Sequence, residues 1–275
     1  MSDSTLQLPA EINDEELAEI GRILKMRRGF SMSAYKDKYL MRRVTIRMRS
    51  VRCNDAAEYC NLLRQSDQEL DLLQKVLTIH VSQFFRNPSI FEKLRTEILP
   101  GLFRNAEQLR FWCLGCAGGE EPYSLAILLK EYFSREIQQT HTSILGTDID
   151  AATLVIAQQA EYNAERIQEV PSELLERYFR PNGTRFQLIP EIREMVTFMH
   201  GDITNVEQYV ASNLVLCRNT LIYFNRIDQE NIQNGIADIL PLGGILVLGK
   251  SETLVGEARR RFVPICPVER IYRRI

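Results

Sequence analysis

Residues 112–124 read Trp-Cys-Leu-Gly-Cys-Ala-Gly-Gly-Glu-Glu-Pro-Tyr-Ser, and no other stretch narrows the fold as far. An apolar run stops at Gly115, a glycine-rich turn follows, and an apolar pattern of helical period begins near Pro122. This is a strand, a tight loop and a helix start. Gly115, Gly118 and Gly119 lack a Cβ, so a ligand is expected to lie against bare backbone there. Pro122 suits a first helical turn, where its missing N–H costs nothing. Glu120 and Glu121 complement the helix dipole. Phosphate loops avoid carboxylates because their ligand is itself anionic. A loop offering two glutamates is expected to take a cationic or hydroxyl-bearing ligand instead.

With 275 residues, 45% of them hydrophobic, the chain suffices for one large or two ordinary globular domains. It shows no signal-peptide pattern and no apolar run near 18–20 residues, so a cytoplasmic protein without membrane insertion is expected. The six cysteines are sparse. Cys113 and Cys116 form a C-x-x-C, but no second pair lies at zinc spacing and Cys113 falls inside a strand pattern. Reduced core thiols and no metal site are expected. Charge is uneven: the whole chain carries −2, yet between Arg22 and Arg52 eleven Lys/Arg face one acid, Asp37. An acidic macromolecular partner is expected at that end. The window has no clear recognition-helix pattern, so nucleic acid is not the expected partner.

Residues 1–10 read as a disordered leader, and 14–26, 36–50, 55–64, 67–78 and 88–99 as short helices of an all-helical domain over 11–99. Pro100-Gly101 opens an expected linker at 100–108. From 109 to 275 strands (109–115, 142–148, 195–201, 213–218, 244–249) alternate with helices (121–136, 150–160, 172–179, 227–239), and two strand-like runs close the chain. Such alternation implies an α/β fold with a parallel sheet covered on both faces and ligands at the carboxyl ends of its strands. A hairpin-like β-insertion is expected at about 178–198, around Asn182-Gly183.

Four strand ends carry unusual polar residues: Gly115–Glu121, Gly146-Thr147-Asp148-Ile149-Asp150, Gly201-Asp202-Ile203, and Cys217-Arg218-Asn219-Thr220-Leu221-Ile222-Tyr223-Phe224. An acid at the end of the second strand, Asp148, can accept both ribose hydroxyls of an adenosine ligand. Asp150 suits a helix N-cap. Alone, Asp202 reads as a turn residue, Tyr223 as core and Arg218 as an ion-pair residue; together the four ends read as one site. A nicotinamide cofactor is disfavoured because Glu120 and Glu121 oppose a pyrophosphate.

These residues, with Val81-Ser82-Gln83-Phe84-Phe85-Arg86 and Gly249-Lys250-Ser251-Glu252, closely resemble the CheR family, the chemotaxis receptor glutamate O-methyltransferases, over roughly 12–275. The resemblance implies a small helical N-terminal domain and a doubly wound, Rossmann-like S-adenosylmethionine domain carrying a small inserted β-subdomain. It implies that His80, Ser82, Arg86, Gly115, Glu120, Asp148, Asp202, Ile203, Cys217 and Arg218 line the S-adenosylmethionine site, with Arg86 and Tyr223 nearest the transferring methyl. S-adenosylhomocysteine is then the product. The implied partner is the acidic cytoplasmic helical bundle of a methyl-accepting receptor. Lys38, Arg42 and Arg49 would lie along one side of a docking helix and Arg43 and Arg47 along an adjacent stripe; the alternative is a solvated face with Leu40, Ile46 and Met48 packed behind it. Three positions depart from the family: His80 replaces the usual Asn, Gly118 replaces Ser or Thr, and the 180–195 segment is short. The last leads to the expectation that no receptor C-terminal pentapeptide tether is needed. A monomer is expected.

Overall fold

A computed structural model describes residues 12–78, 82–104 and 106–275. The leader and His80 lie outside the described residues. The chain divides at Ile79–His80 into two compact units, and by its contacts Tyr223–Asn225 belongs to the first.

The first unit is built from α1 (Asp14–Arg28), α2 (Asp37–Ser50), α3 (Ala56–Gln65) and α4 (Asp67–Leu77). Local chemistry sets their ends. Asn13 and Glu16 form a reciprocal capping box, and Gly29 closes α1 at φ 68°. Asp55 and Ser66 cap α3 and α4 through the N–H groups of Glu58 and Glu69. Leu17, Ile20 and Leu24 of α1, Leu40, Val44 and Met48 of α2, and Leu63, Leu70 and Leu73 are buried. Set in this apolar interior is an ion pair. Arg47 donates to both oxygens of buried Glu69 (Nε 2.6 Å, Nη2 2.5 Å), and the Tyr59 hydroxyl donates to the same carboxylate at 2.9 Å. Tyr223–Asn225 crosses the α1–α2 connection as an antiparallel bridge, Tyr35 opposite Phe224. The Lys36 N–H donates to the Tyr223 carbonyl (2.9 Å) and the Asn225 N–H to that of Ala34 (2.8 Å). Phe224 is buried, its ring centroid 4.8 Å from that of Tyr35.

The second unit opens with α5 (Pro88–Lys93), a π-helical turn (Leu94–Ile98) and α6 (Leu99–Phe103). Here the structure corrects the domain boundary expected at 99 and the linker expected at 100–108. Ile90, Phe91, Leu94, Ile98 and Leu99 join the core of Leu109, Phe111 and Leu125, so α5–α6 belongs with the sheet. Pro100 does not break the helix. The Leu99 N–H bonds to the Leu94 carbonyl, and this widened turn admits a ring that would clash in a regular one.

The strands are β1 (Gln108–Leu114), β2 (His141–Asp148), β3 (Glu161–Tyr162), β4 (Phe179–Asn182), β5 (Arg185–Leu188), β6 (Val196–His200), β7 (Leu214–Cys217), β8 (Ile245–Leu248), β9 (Phe262–Cys266) and β10 (Ile271–Arg274). The main sheet runs β6-β2-β1-β7-β8-β10-β9. Its first five strands are parallel; β10 runs antiparallel between β8 and β9. From β1 the chain winds outward through β2 to β6, then restarts at β7 on the other side. The loops after β1 and β7 therefore flank a topological switch point. The helices are α7 (Glu120–Tyr132), α8 (Ser134–Gln139), α9 (Ala151–Gln159), α10 (Ser172–Tyr178), α11 (Pro190–Arg193), α12 (Arg226–Ile239) and α13 (Ala258–Arg261). The Trp112 N–H donates to Thr147 Oγ1 at 2.8 Å, which satisfies a fully buried indole. The β-insertion is a sheet β3-β5-β4, turned at Gly183-Thr184 with Gly183 at φ 60°. It ends at Leu188, and its outer strand β3 comes from 161–162, outside the expected 178–198. Among the described residues no helix is long and apolar enough to cross a membrane.

Candidate active site

The loop after β1 turns through three left-handed residues, Gly115 (φ 70°), Ala117 (φ 48°) and Gly119 (φ 87°). Two of its glycines also have a steric reason within the protein. A Cβ on Gly115 would stand 2.5 Å from Thr220 Oγ1, and one on Gly119 would stand 3.0 Å from Ala157 Cβ and Phe198 Cζ. These two glycines admit the protein's own side chains. At Gly118 a Cβ would meet the Glu120 carboxylate at 3.0 Å, so the missing side chain leaves that carboxylate its place.

Glu120 begins α7 and is 1% exposed. Arg166 Nη1 donates to its Oε1 at 2.9 Å. Asp148 ends β2, also buried, and its carboxylate is aimed by backbone: the Ala117 N–H donates to Oδ2 (2.8 Å) and the Asp150 N–H to Oδ1 (3.0 Å). Asp150 caps α9, as its position predicts. Asp202, beyond β6, accepts the Thr204 N–H and hydroxyl on Oδ1, both at 2.8 Å, and so shapes the turn before buried Ile203.

Ser82–Asn87 forms a second wall of the unit. Phe85 and Asn87 are left-handed without being glycine (φ 52° and 60°), a conformation that persists only when its surroundings hold it. The Phe84 N–H bonds to the Arg166 carbonyl (2.9 Å) and the Phe85 N–H to Ser124 Oγ (2.8 Å). Arg218 Nη2 donates to the Arg86 carbonyl (2.7 Å) and to Asn87 Oδ1 (3.0 Å). The Arg86 side chain is half-buried on this pinned loop.

The loop after β7 is held by Glu252. One buried carboxylate accepts the N–H groups of Gly249 (2.6 Å), Leu221 (2.7 Å), Asn219 (2.9 Å) and Ile222 (3.3 Å). Burial pushes its pKa up, and the four donors restrain the rise. Two expected lining residues have partners within the protein. Arg218 makes an ion pair with Glu121 (2.8 Å) and donates to the Arg86 carbonyl and the Asn87 side chain. The Cys217 thiol is fully buried in β7, where desolvation raises its pKa. Burial likewise raises Glu121, with Arg218 pulling it back in part.

On α2, Lys38, Arg42 and Arg49 are exposed. Arg47 leaves that set because it serves Glu69, and Arg43 lies half-buried over the Tyr39 ring at 5.7 Å. Ile46 is not packed behind the stripe but 44% exposed within it. Tyr223 stands in the first unit, its ring centroid 5.0 Å from that of Tyr39. Sequence reasoning missed Arg166, Ser124 and the keystone role of Glu252. The last two stand inside motifs already singled out, whereas nothing around Arg166 marks it.

The CheR methyltransferase all-alpha domain matches residues 15–78, and the CheR methyltransferase SAM-binding domain matches 80–266. A chemotaxis protein methyltransferase of Listeria innocua is 31% identical over 238 residues, covering 86% of this chain and 89% of its own. One from Borreliella burgdorferi is 29% identical over 274 residues, covering 95% of this chain and 96% of its own. A 104.1 kDa uncharacterized protein of Rhodobacter capsulatus is 34% identical over 245 residues, which are 88% of this chain but 26% of that longer one. The donor set fits the cofactor these models name: two buried carboxylates, Glu120 and Asp148, suit a ligand presenting hydroxyls and an amine rather than phosphates. With both models matched over nearly the whole chain, the protein belongs to the CheR methyltransferase family and is an S-adenosylmethionine-dependent methyltransferase.

Proposed function

We propose that this enzyme methylates the side-chain carboxylates of specific glutamates on the cytoplasmic helical bundle of a methyl-accepting chemotaxis receptor, leaving glutamate methyl esters and S-adenosylhomocysteine. The observation that carries the reading is the exposed row Lys38, Arg42 and Arg49 on α2, in a chain that also holds an S-adenosylmethionine-binding unit. An acidic helical surface is the complement of that row.

Bound S-adenosylmethionine supplies a methyl group on a cationic sulfonium. The acceptor carboxylate is already ionised at neutral pH, so the chain needs no general base. Its own contribution is orientation and the exclusion of water, since a hydrated carboxylate is a poor nucleophile. Acceptor and sulfonium attract by about 4 kcal/mol at ~4 Å and an effective dielectric of ~20, which assists docking. Arg86 is assigned to position carboxylates; a tight bidentate grip would quench the acceptor, so a looser contact is its role. Tyr223 is assigned to align the acceptor. Glu120, Asp148 and Asp202, with Ser82, Gly115, Ile203 and His80, are assigned to the cofactor. Cys217 and Arg218 are assigned to the cofactor as well, at the carboxyl end of β7. The short β4–β5 hairpin with its two-residue turn supports independence from a pentapeptide tether; low-micromolar binding of a peptide ending in that pentapeptide would defeat this part.

The test is a titration of S-adenosylmethionine and S-adenosylhomocysteine by calorimetry, with NADH as control, followed by transfer of labelled methyl to receptor cytoplasmic fragments. Micromolar binding of the adenosyl ligands alone and label released as methanol by mild base are expected, because carboxyl esters hydrolyse there. Label that survives base would mean another acceptor atom.

A further inference from the structure

Arg166 sits in a short 3-10 turn, Ala164–Ile167, whose start is capped by the side chain of Asn163. Among the described residues, three hydrogen bonds join it to both walls of the site. One nitrogen, Nη1, donates to Glu120 Oε1 (2.9 Å) and to the Ser82 carbonyl (2.8 Å). Its own carbonyl accepts the Phe84 N–H (2.9 Å). Glu120 is almost wholly buried, and a buried carboxylate stays charged only beside a cation or several donors. Ser82 is the root of the loop that presents Arg86 between two left-handed residues, Phe85 and Asn87.

We propose that Arg166 is a positioning residue for methyl transfer, one guanidinium nitrogen fixing both the cofactor-binding carboxylate and the root of the loop that carries Arg86. It rests on the reading above, in which Glu120 contacts the cofactor and Arg86 the reacting groups. Any movement of Glu120 when the cofactor binds is felt at the Ser82 carbonyl through a single shared donor. Cofactor binding and presentation of Arg86 are thereby coupled.

The experiment uses the full chain and S-adenosylhomocysteine as the probe. Affinity is measured by calorimetry and loop order by amide hydrogen exchange at Phe84 and Phe85, for wild type, R166Q, R166K, E120Q and the E120Q/R166Q pair. Each Gln variant is expected to weaken the probe by about tenfold or more, the range for a hydrogen bond to a charged group. The pair is expected to lose less than the product of the single losses by about fivefold, because both act through one bond. The probe should slow exchange at Phe85 in wild type but not in R166Q, with partial recovery in R166K. If E120Q binds the probe normally, the assignment of Glu120 fails and the inference with it. If E120Q loses the probe while R166Q, melting as wild type does, keeps both affinity and the exchange response, the assignment stands and the inference is overturned. Faster exchange in R166Q with unchanged affinity would also overturn it, leaving Arg166 a merely structural brace. Should R166Q fold poorly, R166K carries the same comparisons.

Discussion

At the scale of single residues the site divides into groups that touch reactants and groups that hold them. Arg86 belongs to the first kind, so Arg86→Ala is expected to cut turnover by about 100-fold or more, the cost of slight misplacement. Its melting temperature should barely change, as for a substitution away from the core. Normal kinetics would remove Arg86 from the mechanism. Glu252 belongs to the second kind. In Glu252→Gln an amide with one acceptor oxygen faces four N–H donors. Denaturant unfolding should report a loss of about 1–3 kcal/mol. Glu121 has a pH signature. Burial raises its carboxyl above the ordinary 4.5, so the native state holds a proton that the unfolded chain has released. That stabilising contribution is complete below pH 4.5 and is lost as pH rises through the raised value. Gln mimics the protonated carboxyl, so wild type should lose stability relative to Glu121→Gln as pH rises across that window, measured by denaturant unfolding. A wild type that gains on the variant as pH rises would mean that Arg218 wins over burial.

At the scale of elements α2 serves two purposes on two faces. Reversing Arg42 and Arg49 to Glu should leave folding intact, slow methylation of receptor fragments by about tenfold, and flatten the salt dependence of the rate. An unchanged rate with unchanged salt dependence would reduce the exposed row to a solvated face. Arg47→Met should behave differently despite its place in the same helix. It leaves the Glu69 carboxylate buried with only the Tyr59 hydroxyl among its side-chain partners described above. Breaking a buried pair costs about 3–5 kcal/mol, visible as early melting of the helical unit. Periodicity placed α2 but not Arg47, because a heptad-like count ranks faces by spacing and carries no information about the acid on α4 that one of them meets.

At the scale of the molecule the alternation of strands and helices was legible because each carries its own period, and the parallel order with its switch point follows from it. The carboxylates at strand ends, Glu120, Asp148 and Asp202, were legible for the same reason: the topology gathers those ends. The domain boundary was not. Pro100-Gly101 is a local signal, and it was overridden by a π-helical turn and by the apolar contacts of Ile90, Leu94 and Leu99 with strands far along the chain. Arg166 was illegible too, since it pairs with residues 46 and 84 positions away. Spacing rules reach as far as a helix or a strand, and a long-range guanidinium contact lies beyond them.

The strand Tyr223–Asn225, seated on the α1–α2 connection, also has a bearing on biosynthesis. The four helices leave the ribosome first, yet the segment that covers Tyr35 and takes the Lys36 N–H is made about 145 residues later. At roughly 5–20 residues per second, that is a wait of about 7–30 s. Through that interval the nascent helical unit carries an uncovered aromatic seat, and it reaches its final packing only when the second unit is nearly complete.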